Sequence, residues 1–333
     1  MRLGLAYDLK EAVAASTGTD DALEEYDSLE TVDRLAKFLE ADGHEVVMLG
    51  GGKEFLRKIL IEKVDFVFNI AEGQGNYRSR EAQVPAVLEM LGIPYSGSDP
   101  LCLAICLDKP LTKQLIAAAR VKTPGWLSVR GYDDITRIAT SDLVYPAIIK
   151  PACEGSSKGV KLGSVVAGAV EAAAVAGKLL HQYRQPVLVE EFIRGTEVTI
   201  GIVGNDPPEV VGMMAVVPKQ NEPDFVYSLE VKRNYLELVD YQCPADLAPE
   251  VLKRLEASAI AVFKTLGCRD FARIDYRVSA GGTPYFLEIN PLPGLGDYSD
   301  LVIMAEMTGL GHRGLVARVL GAAFGRYPQC VAA

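Results

Sequence analysis

The sequence predicts a mixed α/β (α+β) chain of several domains, opening on a small parallel sheet and closing on antiparallel sheet. Three features carry that expectation. Residues 2–69 alternate buried strand and amphipathic helix, the pattern of a parallel sheet with crossover helices. Residues 186–193, 197–203 and 210–217 are strand-like runs separated only by turns, which predicts antiparallel pairing. Residues 271–299, FARIDYRVSAGGTPYFLEINPLPGLGDYS, read as a hairpin around Gly281-Gly282 followed by a loop rich in glycine and proline. At 333 residues the chain can bury two or three cores.

In order, residues 2–7 are a buried strand, 29–41 an amphipathic helix and 44–49 a second strand. Gly50-Gly51-Gly52 then breaks the chain before a helix at 54–62 and a third strand at 64–69. The strand ends at Tyr7 and Asn69 open on the ligand side of such a sheet, so DLKE and AEGQGNYRSRE are either a substrate edge or plain surface loops. Residues 81–91 are a helix closed by Gly92, and GIPYSGSDP is a short strand and turn. A composition shift near 98–100 marks the first boundary, giving domains 1–98, 99–185 and 186–333. Helices follow at 101–107 and 109–119, the second capped by Asp108 with Pro110 in its first turn. YPAIIKP (145–151) is a strand, ACEGSSKG a loop, 160–162 a second strand, and the alanine-rich stretch 165–176 a helix. Residues 219–240 are polar and poorly periodic, a mobile lid or an exposed loop. A long amphipathic helix spans 247–266, and two helices separated at 309–311 span 299–325.

Composition excludes several classes. Hydrophobic content of 49% and charged content of 23% are those of an ordinary soluble protein. A net charge of -10 argues against a nucleic-acid partner. Six cysteines without a C-x-x-C pair, with three histidines, make a zinc site unexpected and suit a reduced cytosolic protein; Cys102 and Cys106, at i and i+4, read as core packing. No signal peptide opens the chain, and no apolar run reaches membrane-spanning length, so a cytoplasmic location without a membrane partner is expected.

The chemistry concentrates in the late hairpin. Glu288 and Asn290 are two residues apart on one strand and share a face, and the partner strand brings Asp275 alongside. Two carboxylates and an amide oxygen are a hard ligand set suited to magnesium held against phosphates. Arg273 points to the side of Asp275, placing a cation where phosphoryl transfer needs one. The alternative is a solvated hairpin with ordinary surface charges. The loop ACEGSSKG is neither a Walker P-loop nor a dinucleotide fingerprint, since Lys158 is followed by Gly159 and then by a strand. Its small residues still let backbone N–H groups approach an anion, and Lys150 can reach phosphates from the preceding strand. Glu190, Glu191, Phe192 and Ile193 offer backbone hydrogen bonds, apolar faces and a carboxylate, the needs of an adenine nucleoside.

Taken together, LDK, YPAIIKPACEGSSKGV, VLVEEFIRGTEVTIGIVG, RIDYRV and FLEINPLPGL, in this order and spacing, resemble the ATP-grasp superfamily, and within it the D-alanine:D-alanine ligases. The match covers nearly everything from Glu81 onward and includes VLEMLGIPYSGSDP. The resemblance implies an ATP-grasp fold in which a Rossmann-like parallel domain precedes two α+β domains that clasp ATP. It implies that Lys109 and Lys150 contact the ATP phosphates while Glu154, Gly155, Ser156 and Ser157 close over them. Glu190 and Ile193, with Glu191 and Phe192 between, would flank adenine, and Glu197 would bind ribose. Asp275, Glu288 and Asn290 would hold two Mg2+ ions. Arg273 and the Gly294 backbone would form an oxyanion hole, Ser299 would anchor the second substrate's carboxylate, and Ser156 and Lys232 would touch substrate and phosphate. The implied enzyme is a ligase that joins a small carboxylate to an amino acid through an acyl phosphate, working as a homodimer.

The first third departs from that family. Its ligases carry a Gly-Gly segment with a serine and a glutamate after the first strand, the glutamate gripping the ammonium of the first D-alanine; here AYDLKEAVAAST offers only Asp8 or Glu11. A family histidine is replaced by Glu72-Gly73, followed by Arg78, Arg80 and Glu81, and Arg233 stands where the family has tyrosine or phenylalanine. A different or enlarged acyl substrate follows, with an extra anionic group for Arg78 or Arg80 to meet. The alternative is that these arginines pair structurally with Glu72 and Glu81. Two further functions stay open: a tailoring ligase acting on a non-alanine or non-amino-acid carboxylate, and an ATP sensor without turnover, which would have no use for Arg273.

Overall fold

The structure, a computed structural model, describes residues 1–13, 19–220 and 224–331. The first sheet is formed by β1 (Arg2–Ala6), β2 (Glu45–Gly50) and β3 (Phe66–Asn69), parallel in the order β2-β1-β3. Its crossovers are α1 (Leu29–Ala41) and α2 (Gly52–Ile59). The Ser28 hydroxyl accepts from the Thr31 N–H and starts α1, which buries Val32, Leu35 and Leu39 at helical spacing. After α3 (Gln83–Leu91) the chain turns at Gly92, whose left-handed φ of 67° closes the helix. Next come α4 (Pro100–Leu107) and α5 (Lys109–Ala118). Asp99 and Asp108 cap them, their carboxylates accepting from Cys102 N–H at 2.9 Å and Leu111 N–H at 3.1 Å.

The second sheet is antiparallel in the order β4-β7-β5-β6, from β4 (Trp126–Val129), β5 (Ala147–Pro151), β6 (Val165–Val166) and β7 (Val187–Glu191). The short α6 (Thr136–Thr140) and the long α7 (Ala169–Tyr183) cover it, closing a core of Ile138, Ile149, Ala176 and Val189. The strand expected at 160–162 is absent. Ser156, Ser157 and Gly159 all have positive φ (47°, 57° and 73°), so the glycine-rich loop coils on itself before the chain pairs with β5 at Val165–Val166. The alanine-rich helix accordingly begins at Ala169.

The third sheet holds β8 (Gly195–Val203), β9 (Glu209–Pro218), β10 (Val239–Gln242), β11 (Phe271–Ser279) and β12 (Pro284–Asn290), antiparallel in the order β10-β9-β8-β11-β12. The expected lid folds as α8 (Leu229–Arg233) and α9 (Tyr235–Leu238) leading into β10; residues 221–223 of that segment lie outside the described residues. One face of this sheet buries Leu255, Ala259, Val262 and Phe263 of α10 (Pro249–Thr265). The chain closes with α11 (Asp300–Met307), α12 (His312–Phe324) and α13 (Pro328–Val331). Leu315, Val316, Val319 and Leu320 of α12 share one core with Leu3, Leu5, Phe66 and Phe68 of the first sheet. Among the described residues no helix is long and apolar enough to cross a membrane.

Candidate active site

Antiparallel pairing sets Asp275 on β11 directly opposite Glu288 on β12, and Arg273 opposite Asn290. Opposed residues of such a pair have Cβ atoms about 5 Å apart, so both carboxylates reach one point in space. Asp275 accepts from Arg273 Nη2 at 2.9 Å and from the Thr199 hydroxyl. Lys109 Nζ lies 3.4 Å from Glu288. Burial alone would raise the Glu288 carboxyl, but Lys109, Lys150, Lys232 and Arg273 together hold it far below the usual carboxylate range. Glu288 is therefore anionic at any working pH, and with Asp275 and the Asn290 amide it makes an oxygen donor set of the kind magnesium takes.

Both carboxylates line a cleft between the second and third sheets, together with Lys109 and Lys150. Its apolar end is formed by Ile148, Val160, Phe192, Ile193, Val216 and Leu287, a slot for a flat ring. Glu154, Ser157, Lys158, Glu191, Glu197 and Lys232 complete the polar wall. Glu190 lines this cavity too, but its carboxylate is held between Lys150, at 3.0 Å, and Lys113. Burial pushes the Lys113 ammonium down to about 8 despite that partner. Glu190 thus braces two lysines from below.

A second cavity is lined by Arg273 with Ser156, Lys232, Arg233, Asn290, Gly294 and Ser299. Its remaining wall is acidic and aromatic, with Glu24, Glu25, Asp27, Glu72 and Asp300 beside Tyr227, Tyr235 and Tyr298. A smaller cavity joins the two, bounded by Lys109, Gly155, Ser156, Arg273, Glu288 and Asn290. One chamber can hold a nucleotide and the next a pair of small substrates, with Arg273 and Lys232 at the junction.

The family model for the D-ala D-ala ligase C-terminus matches residues 121–321. The D-alanine--D-alanine ligase of Aquifex aeolicus is 33% identical over 88% of this chain and 94% of its own length. The chain belongs to the D-alanine–D-alanine ligase family. The uncharacterized protein y4sG of Sinorhizobium fredii is also 33% identical, over 89% of this chain and 88% of its own. The fold is that of the D-alanine--D-alanine ligase from Bacillus anthracis complexed with ATP, which aligns at a TM-score of 0.73 with 21% identity over 98% of each chain. This protein is accordingly an ATP-dependent ligase of the D-alanine–D-alanine ligase type, with an ATP-grasp fold.

Within this ligase the structure relocates several expected residues. Arg78 is 74% exposed and pairs with Asp108 at 3.1 Å, away from the substrate chamber. Arg80 has a side chain only 3% exposed and pairs with Glu25 at 2.7 Å and Glu154 at 3.5 Å. Neither arginine lines the acidic chamber, and neither pairs with Glu72 or Glu81 as the structural alternative expected. Asp8 is buried under the first sheet, accepting from Gly73 N–H and the Gln74 amide, and neither it nor Glu11 lines that chamber. Glu72 does line it, as expected, with Asp300 and with Glu24, Glu25 and Asp27, the last three carried there by the segment before α1. Glu197 reaches the nucleotide cavity already paired with Arg277 at 2.8 Å. Arg233 pairs with Glu24 at 2.6 Å, so α8 of the lid is tied to the first domain.

Two residues central to the site were not singled out from the sequence. Glu25 accepts from Arg80, from Lys158 Nζ at 3.1 Å and from the Gly155 N–H, fastening the glycine-rich loop. Although burial opposes ionisation, Arg80 and Lys158 bring its carboxyl down to about 2. Arg277 stacks its guanidinium 4.5 Å from the Phe192 ring centre and donates to the carbonyls of Ile193 and Phe225. The EEY run at 24–26 and the second arginine of RIDYR were the available signals; both look like ordinary surface charge in a linear reading.

Proposed function

We propose that this ligase activates a small carboxylic acid with ATP and joins it to an amine, forming a peptide-like amide. The observation that carries the reading is the opposition of Asp275 and Glu288 in a chamber shared with Lys109 and Lys150, with Arg273 reaching from the same hairpin toward the neighbouring chamber. Asp275, Glu288 and Asn290 fit two magnesium ions, which when bound supply charge neutralisation between the ATP phosphates. Lys109 and Lys150 grip the phosphates, and Gly155, Ser156 and Ser157 cover them. The acyl carboxylate oxygen attacks the γ-phosphorus, and ADP leaves. The neutral amine nitrogen then attacks the acyl carbon, Arg273 and the Gly294 N–H take the developing oxyanion, and phosphate departs as the nitrogen releases its extra proton to solvent. Ser299 meets the carboxylate of the amine substrate, and Lys232 stays with the transferred phosphate. Domains 1–98, 99–185 and 186–333 of a cytoplasmic homodimer clasp the nucleotide.

The acyl substrate carries an ammonium group. Asp27 and Glu72 line the second chamber without a cation within 4 Å among the described residues, and Arg78 and Arg80, the expected anion receptors, are engaged elsewhere. The same acids disfavour a tailoring ligase that takes a carboxylic acid with no amine. D-alanine meets the requirement, as do other amino acids, so the decisive experiment is a panel. Phosphate release with ATP, magnesium and each D- or L-amino acid, with products read by mass spectrometry, supports the reading if release depends on the amino acid. ATP binding without amine-dependent phosphate release would favour a sensor instead, and preferential use of acids lacking an amine would overturn the substrate assignment.

A further inference from the structure

Beneath the catalytic hairpin lies a sulfur cluster that the ligase chemistry does not use. Cys102 on α4 and Cys268, in the turn before β11, have sulfurs 3.5 Å apart, and Cys106, one helical turn on, is 3.9 Å from Cys102. All three sulfurs fall within 4.8 Å of one another, and all three side chains are buried. The helix brings Cys102 and Cys106 onto one face, while Cys268 comes from far along the chain, which is why no ligand spacing showed in the sequence.

We propose that Cys102, Cys106 and Cys268 bind one soft divalent d10 cation of the zinc class. Three thiolates around one such ion at ~2.3 Å lie about 3.8 to 4.0 Å from one another, close to the separations already present. Such an ion prefers thiolate to the oxygen set of the hairpin, so the two sites do not compete for the same metal. Binding forms three metal–sulfur bonds and releases three thiol protons to solvent, leaving the complex with a single negative charge. Two features favour that charge. Cys102 is in the first turn of α4, at the positive end of the helix dipole, an end that the Asp99 carboxylate caps. Ser98 favours the ionised form of the Cys102 thiol, and its oxygen accepts from the Arg269 N–H at 3.0 Å.

The position gives the site a consequence. Cys106 also lines the small cavity between the two substrate chambers, beside Lys109 and Glu288. Cys268 leads directly into the strand that carries Arg273 and Asp275. An ion on the three sulfurs ties α4, and through it Lys109, to the base of the catalytic hairpin.

The test is titration of the fully reduced, metal-free protein with Cd2+ in excess Mg2+, following sulfur-to-cadmium charge-transfer absorbance. The signal is expected to saturate at one equivalent and to vanish in Cys102→Ser and Cys268→Ser. A variant that keeps only the cluster, Cys153→Ser with Cys243→Ser and Cys330→Ser, is expected to retain the whole signal. No break at one equivalent, or loss of the signal in the Cys153→Ser, Cys243→Ser, Cys330→Ser protein, overturns the proposal.

Discussion

One terminal nitrogen of Arg80 donates to both oxygens of Glu25, at 2.8 and 2.7 Å, in a pocket closed to solvent. That pair joins the segment before the first helix to the loop that covers the ATP phosphates, because Glu25 also accepts from Gly155 N–H and Lys158. Glu25→Gln leaves buried Arg80 and Lys158 with Glu154 as their one remaining shared carboxylate among the described residues. Urea denaturation is expected to show a loss of about 3–5 kcal/mol, the usual penalty for breaking a buried ion pair on one side. A change under 1 kcal/mol would mean the loop is held by its other contacts.

Arg273 is the one cation positioned by the hairpin to meet an oxyanion. Its replacement by alanine is expected to lower kcat by about a hundredfold or more, as for the loss of a typical oxyanion donor. Because Arg273 also steadies Asp275 through its Nη2 contact, the half-saturating magnesium concentration should rise in the same variant. Steady-state kinetics at several magnesium concentrations separate the two effects, and unchanged kcat would remove Arg273 from the chemistry.

Arg277 binds no reacting atom in this arrangement, yet it ties Ile193, Phe225 and Glu197 around the nucleotide slot. Arg277→Met keeps the apolar length of the side chain and removes those ties. The expected outcome is an increase of about tenfold in KM for ATP, near 1.4 kcal/mol, with kcat little altered. A fall in kcat with KM unchanged would place Arg277 in the reaction itself.

Asp27 gives a pH signature. Burial pushes its carboxyl from the ordinary value of 3.8 up to about 7. Between those values the native state keeps a proton that the unfolded chain has lost, so the protonated carboxyl favours folding below pH 3.8 and that contribution disappears as pH rises through about 7. Asp27→Asn stays neutral throughout. Its stability relative to wild type is therefore expected to improve from pH 5 to pH 8, measured by urea denaturation at each pH, whereas a constant difference would show that Asp27 ionises freely.

Much of this was legible in the sequence for identifiable reasons. The helix at 29–41 carried its own cap and apolar stripe, and the hairpin at 271–290 carried alternation and a Gly-Gly turn, so both appear where expected. Asp275, Glu288 and Asn290 could be grouped because strand periodicity fixes which side chains share a face. The strand at 160–162 failed because small residues in the loop permit several turns, and only the fold shows that Ser156 and Ser157 take left-handed conformations. Glu25 was missed because its function depends on Arg80, Gly155 and Lys158, contacts of high sequence separation that no local pattern records. Arg80 was read as meeting a substrate anion, or as pairing with Glu72 and Glu81, for the same reason.

The shared core of Leu5 and Leu315 bears on how the polypeptide reaches its final form during synthesis. The strands of the parallel sheet leave the ribosome with one greasy face uncovered, and the helix that covers it is translated only after the strands of all three sheets. Until α12 arrives, that face is exposed to other nascent chains and to chaperones, while the central antiparallel layer, with a core of its own, can settle first.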